Sequence, residues 1–156
     1  MEAPATADND ITRTYDLLGG SKTIPSGIGS IMDAHDIIMR GLPSSALLFL
    51  TDRLGPIIAE VAVDTAIGIS LRTIQRRKND APDKALSVEQ SNRVWKFAEI
   101  LGMAIEVLGS KEAAETWMNT PAIGLERRKP IDLLASTAGT EAVETYLTRM
   151  DYGVYM

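Results

Sequence analysis

The sequence predicts an all-α fold, and three features carry that prediction. From residue 33 onward apolar residues recur at three- and four-residue spacing. Ser, Thr or Asp stands where helices would begin, and Gly or Pro where they would stop. No segment shows the clear alternation of apolar and polar residues that a half-buried strand requires.

Residues 1–30 lack the periodicity. They hold the stretches GGSK (19–22) and IPSGIGS (24–30) and read as a flexible N-terminal arm with room for one short element. GIGSIM contains Gly-x-Gly, but Met32 stands where a dinucleotide fingerprint needs its third glycine and no strand precedes it, so a nucleotide site is rejected. Asp33 is placed to cap AHDIIMR, which Gly41 stops. LPSSALLFLTDRLG follows, with Ser44 or Ser45 near its cap, Leu47, Leu48, Leu50 and Leu54 on a core stripe, and Gly55 as terminator. PIIAEVAVDTAIG has Pro56 in its first turn and ends at Gly68, and SLRTIQRRKND is a short helix capped by Ser70.

The strongest helix is LSVEQSNRVWKFAEILGMAIEVLG. Ser87 and Gln90 form a capping-box pattern and Gly109 ends it. Val94, Ala98, Leu101, Ile105 and Leu108 make one apolar stripe, and Phe97, Ile100, Ala104 and Val107 make a second. A helix apolar on two faces is buried between partners, so this one is expected to be the central spine. Ser110 then caps KEAAETWMN, closed by Pro121; a short helix opens near Pro130; and Thr140 caps EAVETYLTRM, with Val143, Leu147 and Met150 on one face.

Composition removes several function classes. The chain has no cysteine, which excludes disulfides, thiolate catalysis and cysteine-ligated zinc and fits a reducing cytoplasm. Apolar runs such as ALLFL (46–50) are too short to span a bilayer, and the acidic start MEAPATADND has no secretion signal, so a cytoplasmic protein without a membrane is expected. His35 is the only histidine, which leaves no home for a histidine metal site or a Ser-His-Asp triad, and it reads as a surface residue. No carboxylate pair is singled out by its context. The expectation is a non-enzyme with no catalytic residues, metal or cofactor.

The formal charge of −5 is unevenly spread. Residues 1–68 carry four basic and nine acidic side chains, whereas residues 69–80 carry Arg72, Arg76, Arg77 and Lys78 against Asp80 alone. This basic patch lies in AEVAVDTAIGISLRTIQRRKND, where two short helices meet at a turn containing Gly68, the pattern of a helix-turn-helix. Val63, Ile67, Ile69 and Ile74 pack the pair together. Ser70, Arg72, Thr73, Arg76 and Arg77 are then the candidate DNA-binding residues, because Arg suits phosphates and guanine edges and hydroxyls bind either. One position departs from the pattern: four residues before Gly68, where a small apolar residue is usual, stands Asp64, whose carboxylate must be exposed or paired with Arg72 or Arg76.

GLPSSALLFLTDRLG, GISLRTIQRR, LSVEQSNRVWKFAEIL, AAETWMNTPAIGL, KPIDLL and the closing YGVYM stand in the order and spacing of Xre/ParS/MbcA-type antitoxins, and over residues 33–156 the chain resembles the Xre antitoxins of RES–Xre toxin–antitoxin pairs. The resemblance implies a Cro-like helix-turn-helix DNA-binding domain at 31–85 that represses the operon through operator DNA. It also implies a helical toxin-binding domain at 86–156 that neutralises a cognate RES-type, NAD-degrading toxin. By position, Tyr152, Gly153, Val154, Tyr155 and Met156 carry the toxin-binding role as a C-terminal plug reaching the toxin active site. Trp117, Pro121, Leu133 and Leu134 fall at motif positions expected to pack. Before KPIDLL many relatives have Gly-Gly where this chain has Glu126-Arg127, so a different loop shape is expected there. A homodimer is expected, since helix-turn-helix readers usually place two recognition helices one DNA turn apart.

The alternative from another class is a stand-alone helix-turn-helix regulator with a dimerising or ligand-sensing C-terminal domain. The tail MDYGVYM discriminates between the two. Tyr152, Val154 and Tyr155 either fold back over the last helix or, turned away by a C′ glycine at Gly153, project as a short probe. Together with the resemblance, the probe is the favoured reading.

Overall fold

A computed structural model describes residues 3–80 and 84–153, with side chains placed for 9–70, 72–80 and 84–153. The helices are α1 (Ala3–Leu17), α2 (Ile31–Arg40), α3 (Ser44–Asp52), α4 (Pro56–Val61), α5 (Leu71–Asp80), α6 (Val88–Leu108), α7 (Lys111–Met118), α8 (Pro130–Leu133) and α9 (Thr137–Asp151). Short 3-10 turns lie at Gly20–Lys22 and Ile123–Leu125, and α4 runs on into a π-helical segment, Ala62–Ile67. Among the described residues the only extended pairings are isolated bridges between Pro43 and Ala85 and between Ala122 and Arg128. The all-α expectation holds.

α6 is the spine. Val94, Ala98 and Leu101 on one stripe, and Phe97, Ile100 and Ala104 on the other, are all buried. Around it pack α1, α2, α7, α9 and the π-helical segment. Its capping box is formed as expected: the Ser87 hydroxyl accepts from Gln90 N at 3.0 Å and the Gln90 side chain accepts from Ser87 N at 3.1 Å. Gly109 ends it at φ 96. Two exposed faces would have left this apolar helix insoluble; two buried ones make it the common wall of the molecule.

The flexible arm expected over residues 1–30 is corrected. α1 lies against α6, burying Ile11, Thr14 and Leu18, and Ile24 and Ile28 beyond it are buried too. The Arg13 side chain runs across Gly102, where an added Cβ would come within 2.7 Å of its Nε, and its guanidinium pairs with Asp10 at 2.8 Å and Glu106 at 3.3 Å. The loop after α1 is held by the Tyr15 hydroxyl donating to Ile24 O at 2.8 Å and the Thr23 hydroxyl donating to Leu18 O at 2.6 Å. One buried side chain per turn is a thin signal, and Thr12, Arg13 and Asp16 between those side chains mask it.

Several helix starts also move. Ser30, not Asp33, caps α2, and Ser136, not Thr140, caps α9; Thr140 is buried one turn inside, its hydroxyl donating to Ser136 O at 2.8 Å. Pro43 is the cap of α3, while the Ser44 hydroxyl donates to Lys84 O at 2.6 Å. Gly55 precedes α4 rather than ending α3, which stops at Asp52. Ser70, Ser110 and the glycine stops at Gly41 and Gly68 stand where the sequence puts them.

Candidate functional site

The basic patch lies on α5, which follows the π-helical end of α4 across the Gly68 turn. Gly68, at φ 81, lets the chain leave the first helix in the left-handed conformation that a side chain disfavours. Gly68 N and Ile69 N both donate to Val63 O, at 2.8 and 3.0 Å, which closes a widened turn. The four residues expected to pack the pair, Val63, Ile67, Ile69 and Ile74, are all buried. The π-helical segment accounts for Asp64. With one extra residue in the turn, the buried side is carried by Ala62, Val63, Ala66 and Ile67, and Asp64 lies exposed. Among the described residues no ion pair joins it to Arg72 or Arg76.

The structure separates the five candidate DNA-binding residues into two groups. Arg72 and Arg76, one helical turn apart, are exposed on the same face of α5, with Ser70 exposed at its start. Thr73 and Arg77 are partly buried and engaged within the molecule. The Thr73 hydroxyl lies 2.8 Å from that of Ser70, and the Arg77 guanidinium donates to the Ser44 hydroxyl at 3.5 Å. Lys78 faces Asp52 at 3.6 Å. Two residues escaped the sequence reading. Gln75 is exposed three residues after Arg72, a spacing that could have found it. Arg93 of α6 reaches the Gly68 turn, 3.1 Å from where a Cβ there would lie, and no local pattern announces it.

The second region is the C-terminal layer of α7, α8 and α9. The Trp117 and Tyr146 rings meet at 6.0 Å, tilted by 33°. Gly124 lies directly under Tyr146, where an added Cβ would fall 2.0 Å from the ring. Of the expected packing residues, Leu134 is buried and Trp117 and Leu133 are partly buried; Pro121 is exposed, a correction, and among the described residues the buried proline is Pro130. Lys96 on α6 bridges Glu99 at 2.7 Å and Glu144 of α9 at 3.4 Å. Half-burial pulls its pKa down, but the two carboxylates outweigh that and hold it above the ordinary lysine value. Its contribution to stability is therefore fully present below the ordinary lysine pKa and lost only as pH rises through the raised one.

Residues 122–128 form a closed loop in which Arg127 N donates to Ala122 O at 2.8 Å and Ala122 N donates to Arg128 O at 3.1 Å. Glu126 and Arg127 adopt φ 56 and 63, the left-handed backbone that glycine favours. Glu126 and Arg127 thus hold a backbone conformation that glycine takes more easily, at some cost. Replacing each with Gly should raise unfolding stability by up to about 1 kcal/mol in urea titrations, and an unchanged or lower midpoint would count against that cost.

At the end of α9, Gly153 N donates to Met150 O at 3.0 Å with φ 74, the helix-stopping geometry expected of it. Tyr152 is 80% exposed, so it does not fold back over Val143 and Leu147. Val154, Tyr155 and Met156 lie outside the described residues. Among the described residues no helix is long and apolar enough to cross a membrane, and no group of three or more acidic or histidine side chains is placed to hold a metal.

Residues 103–153 match the family model of the antitoxin Xre/MbcA/ParS C-terminal toxin-binding domain. An antitoxin Xre of Yersinia enterocolitica is 32% identical over 99 residues, covering 63% of this chain and 66% of that protein. An antitoxin Xre of Pseudomonas putida is 29% identical over 126 residues, covering 81% of this chain and 76% of that protein. The matched domain contains the Trp117–Tyr146 layer, the closed loop at 122–128 and the exposed end of α9, and the chain belongs to the Xre-type antitoxin family.

Proposed function

We propose that this protein is the antitoxin of a toxin–antitoxin pair: it neutralises a RES-type, NAD-degrading toxin by inserting its C-terminus into the toxin active site, and it represses its own operon by binding DNA. The observation that carries the reading is the end of α9, where the toxin-binding domain stops with Tyr152 80% exposed and Gly153 turning the chain off the helix axis. Tyr152 and Tyr155 can stack and hydrogen-bond in a nucleotide pocket, and Met156 adapts to its shape. In this reading residues 31–85 read DNA as a dimer and residues 86–156 hold the toxin.

The test is the rate of NAD loss with purified RES-type toxin and increasing amounts of this chain. Inhibition saturating at a fixed ratio supports the reading. Undiminished NAD loss, with binding absent, removes it and leaves a DNA-binding regulator.

For the DNA half, Arg72→Ala and Arg76→Ala should each weaken operator binding by about 1–3 kcal/mol where the arginine reads a base. A phosphate contact would instead weaken binding on every sequence and flatten its salt dependence. Arg77→Ala, already bonded to Ser44, should act mainly on stability. Operator titrations at two salt concentrations separate these outcomes, and full affinity in both exposed-arginine variants would exclude α5 as the reader.

A further inference from the structure

The buried and bonded side chains of α5 fix which side of it faces out. Ile74 is buried, and Thr73 and Arg77 are bonded to Ser70 and Ser44. On a helix of about 3.6 residues per turn, the side away from Ile74 carries Arg72, Gln75, Arg76 and Asn79. All four are exposed. Among the described residues no side-chain hydrogen bond or ion pair holds any of them. The matched toxin-binding domain, at 103–153, does not include α5.

Gln75 stands between the two arginines, and its chemistry differs from theirs. A neutral amide releases no counterion from a phosphate, so it adds little to sequence-independent binding. What it offers is a donor beside an acceptor. Adenine presents the complement in the major groove, with N7 accepting and the N6 amine donating. Guanine presents two acceptors, N7 and O6, which suit the guanidinium of an arginine instead. The spacing agrees. Arg72 and Gln75 are three residues apart, about 4.5 Å along the helix axis, against about 3.4 Å between stacked base pairs. The two therefore reach neighbouring base pairs. Recognition helices also contact base edges through their N-terminal residues, and both lie in the first half of α5 (Leu71–Asp80), whereas Asn79 lies in its last turn.

We propose that Gln75 reads an adenine in the major groove, beside the base pair faced by Arg72, and so sets the sequence preference of α5. The proposal rests on the DNA-binding reading above and adds to it the residue that carries specificity.

Selection of sites from a random-sequence DNA duplex library with the full chain tests it. The wild type should enrich a site containing an A·T pair whose replacement by any other pair weakens binding about 5- to 150-fold. Gln75→Ala should bind all four versions of that pair equally, with unchanged affinity for unselected DNA and an unchanged salt dependence. Gln75→Arg should prefer G·C at the same position. Helical circular dichroism should stay constant, since Gln75 is exposed and alanine and arginine are both good helix formers. A wild-type site read with the same preferences by Gln75→Ala overturns the assignment and leaves the DNA-binding reading standing. An equal loss on every sequence does the same, because it marks a phosphate contact. A wild type that binds no DNA overturns both.

Discussion

Removing residues 152–156 should abolish inhibition of the toxin and leave the antitoxin fold intact. Both halves of that expectation follow from where the core ends. Val143 and Leu147 are buried and Met150 is partly buried, so the last side chains that α9 contributes to the core all precede the deletion. Tyr152 is 80% exposed, and the loss of so exposed a residue changes stability by about 0.5 kcal/mol or less. Binding is different. An aromatic anchor seated in a partner's pocket typically contributes about 2–4 kcal/mol, so the truncated chain should inhibit about 30- to 1,000-fold less well. Residual binding through the rest of the matched domain would separate docking from plugging: the truncated chain would still co-purify with the toxin while NAD is consumed. Tyr152→Ala should give a smaller loss in the same assay. Full protection by the truncated chain at equal melting temperature would refute the plug.

Much of this was legible because it is local chemistry. The Ser87–Gln90 box, the Ser70 and Ser110 caps and the glycine stops at Gly68, Gly109 and Gly153 each depend on residues within one turn of one another, so a string of letters contains them. What failed needed tertiary information. The described side chains of α1 include only one buried residue per turn against α6, Ile11 and then Thr14, so its periodicity is too sparse to read without its partner. Ser30 and Ser136 were missed because Asp33 and Thr140, equally good caps, stand closer to the apolar runs. The π-helical turn that leaves Asp64 in solvent has no signature of its own. The candidate DNA face was half legible: charge picked out the arginines, but only packing shows that Arg77 is bonded to Ser44 while Arg72 and Arg76 are exposed.

The largest stability effect expected from one substitution falls at such a non-local position, Gly139. Its backbone angle is ordinary; what requires glycine is space. A Cβ there would sit 2.0 Å from Leu133 O and 2.8 Å from the carbonyl carbon of α8, both backbone atoms that no rotamer change can move. α8 cannot retreat freely, since Pro130 and Ile131 are buried and Leu134 follows them into the core. Moving α9 instead pulls Gly139 N from the Ser136 hydroxyl, 2.9 Å away, and sacrifices a cap of about 1 kcal/mol. Overpacking adds about 1–3 kcal/mol, so Gly139→Val should cost about 2–4 kcal/mol and lower the melting temperature by about 5–15 °C. Ala138→Val, one residue earlier and exposed, should cost about 0.5 kcal/mol or less in the same urea titration. Equal midpoints for the two variants would mean that α8 and α9 do not cross at this distance. A large gap would show that the α8–α9 contact, rather than propensity, positions the helix that carries Tyr152.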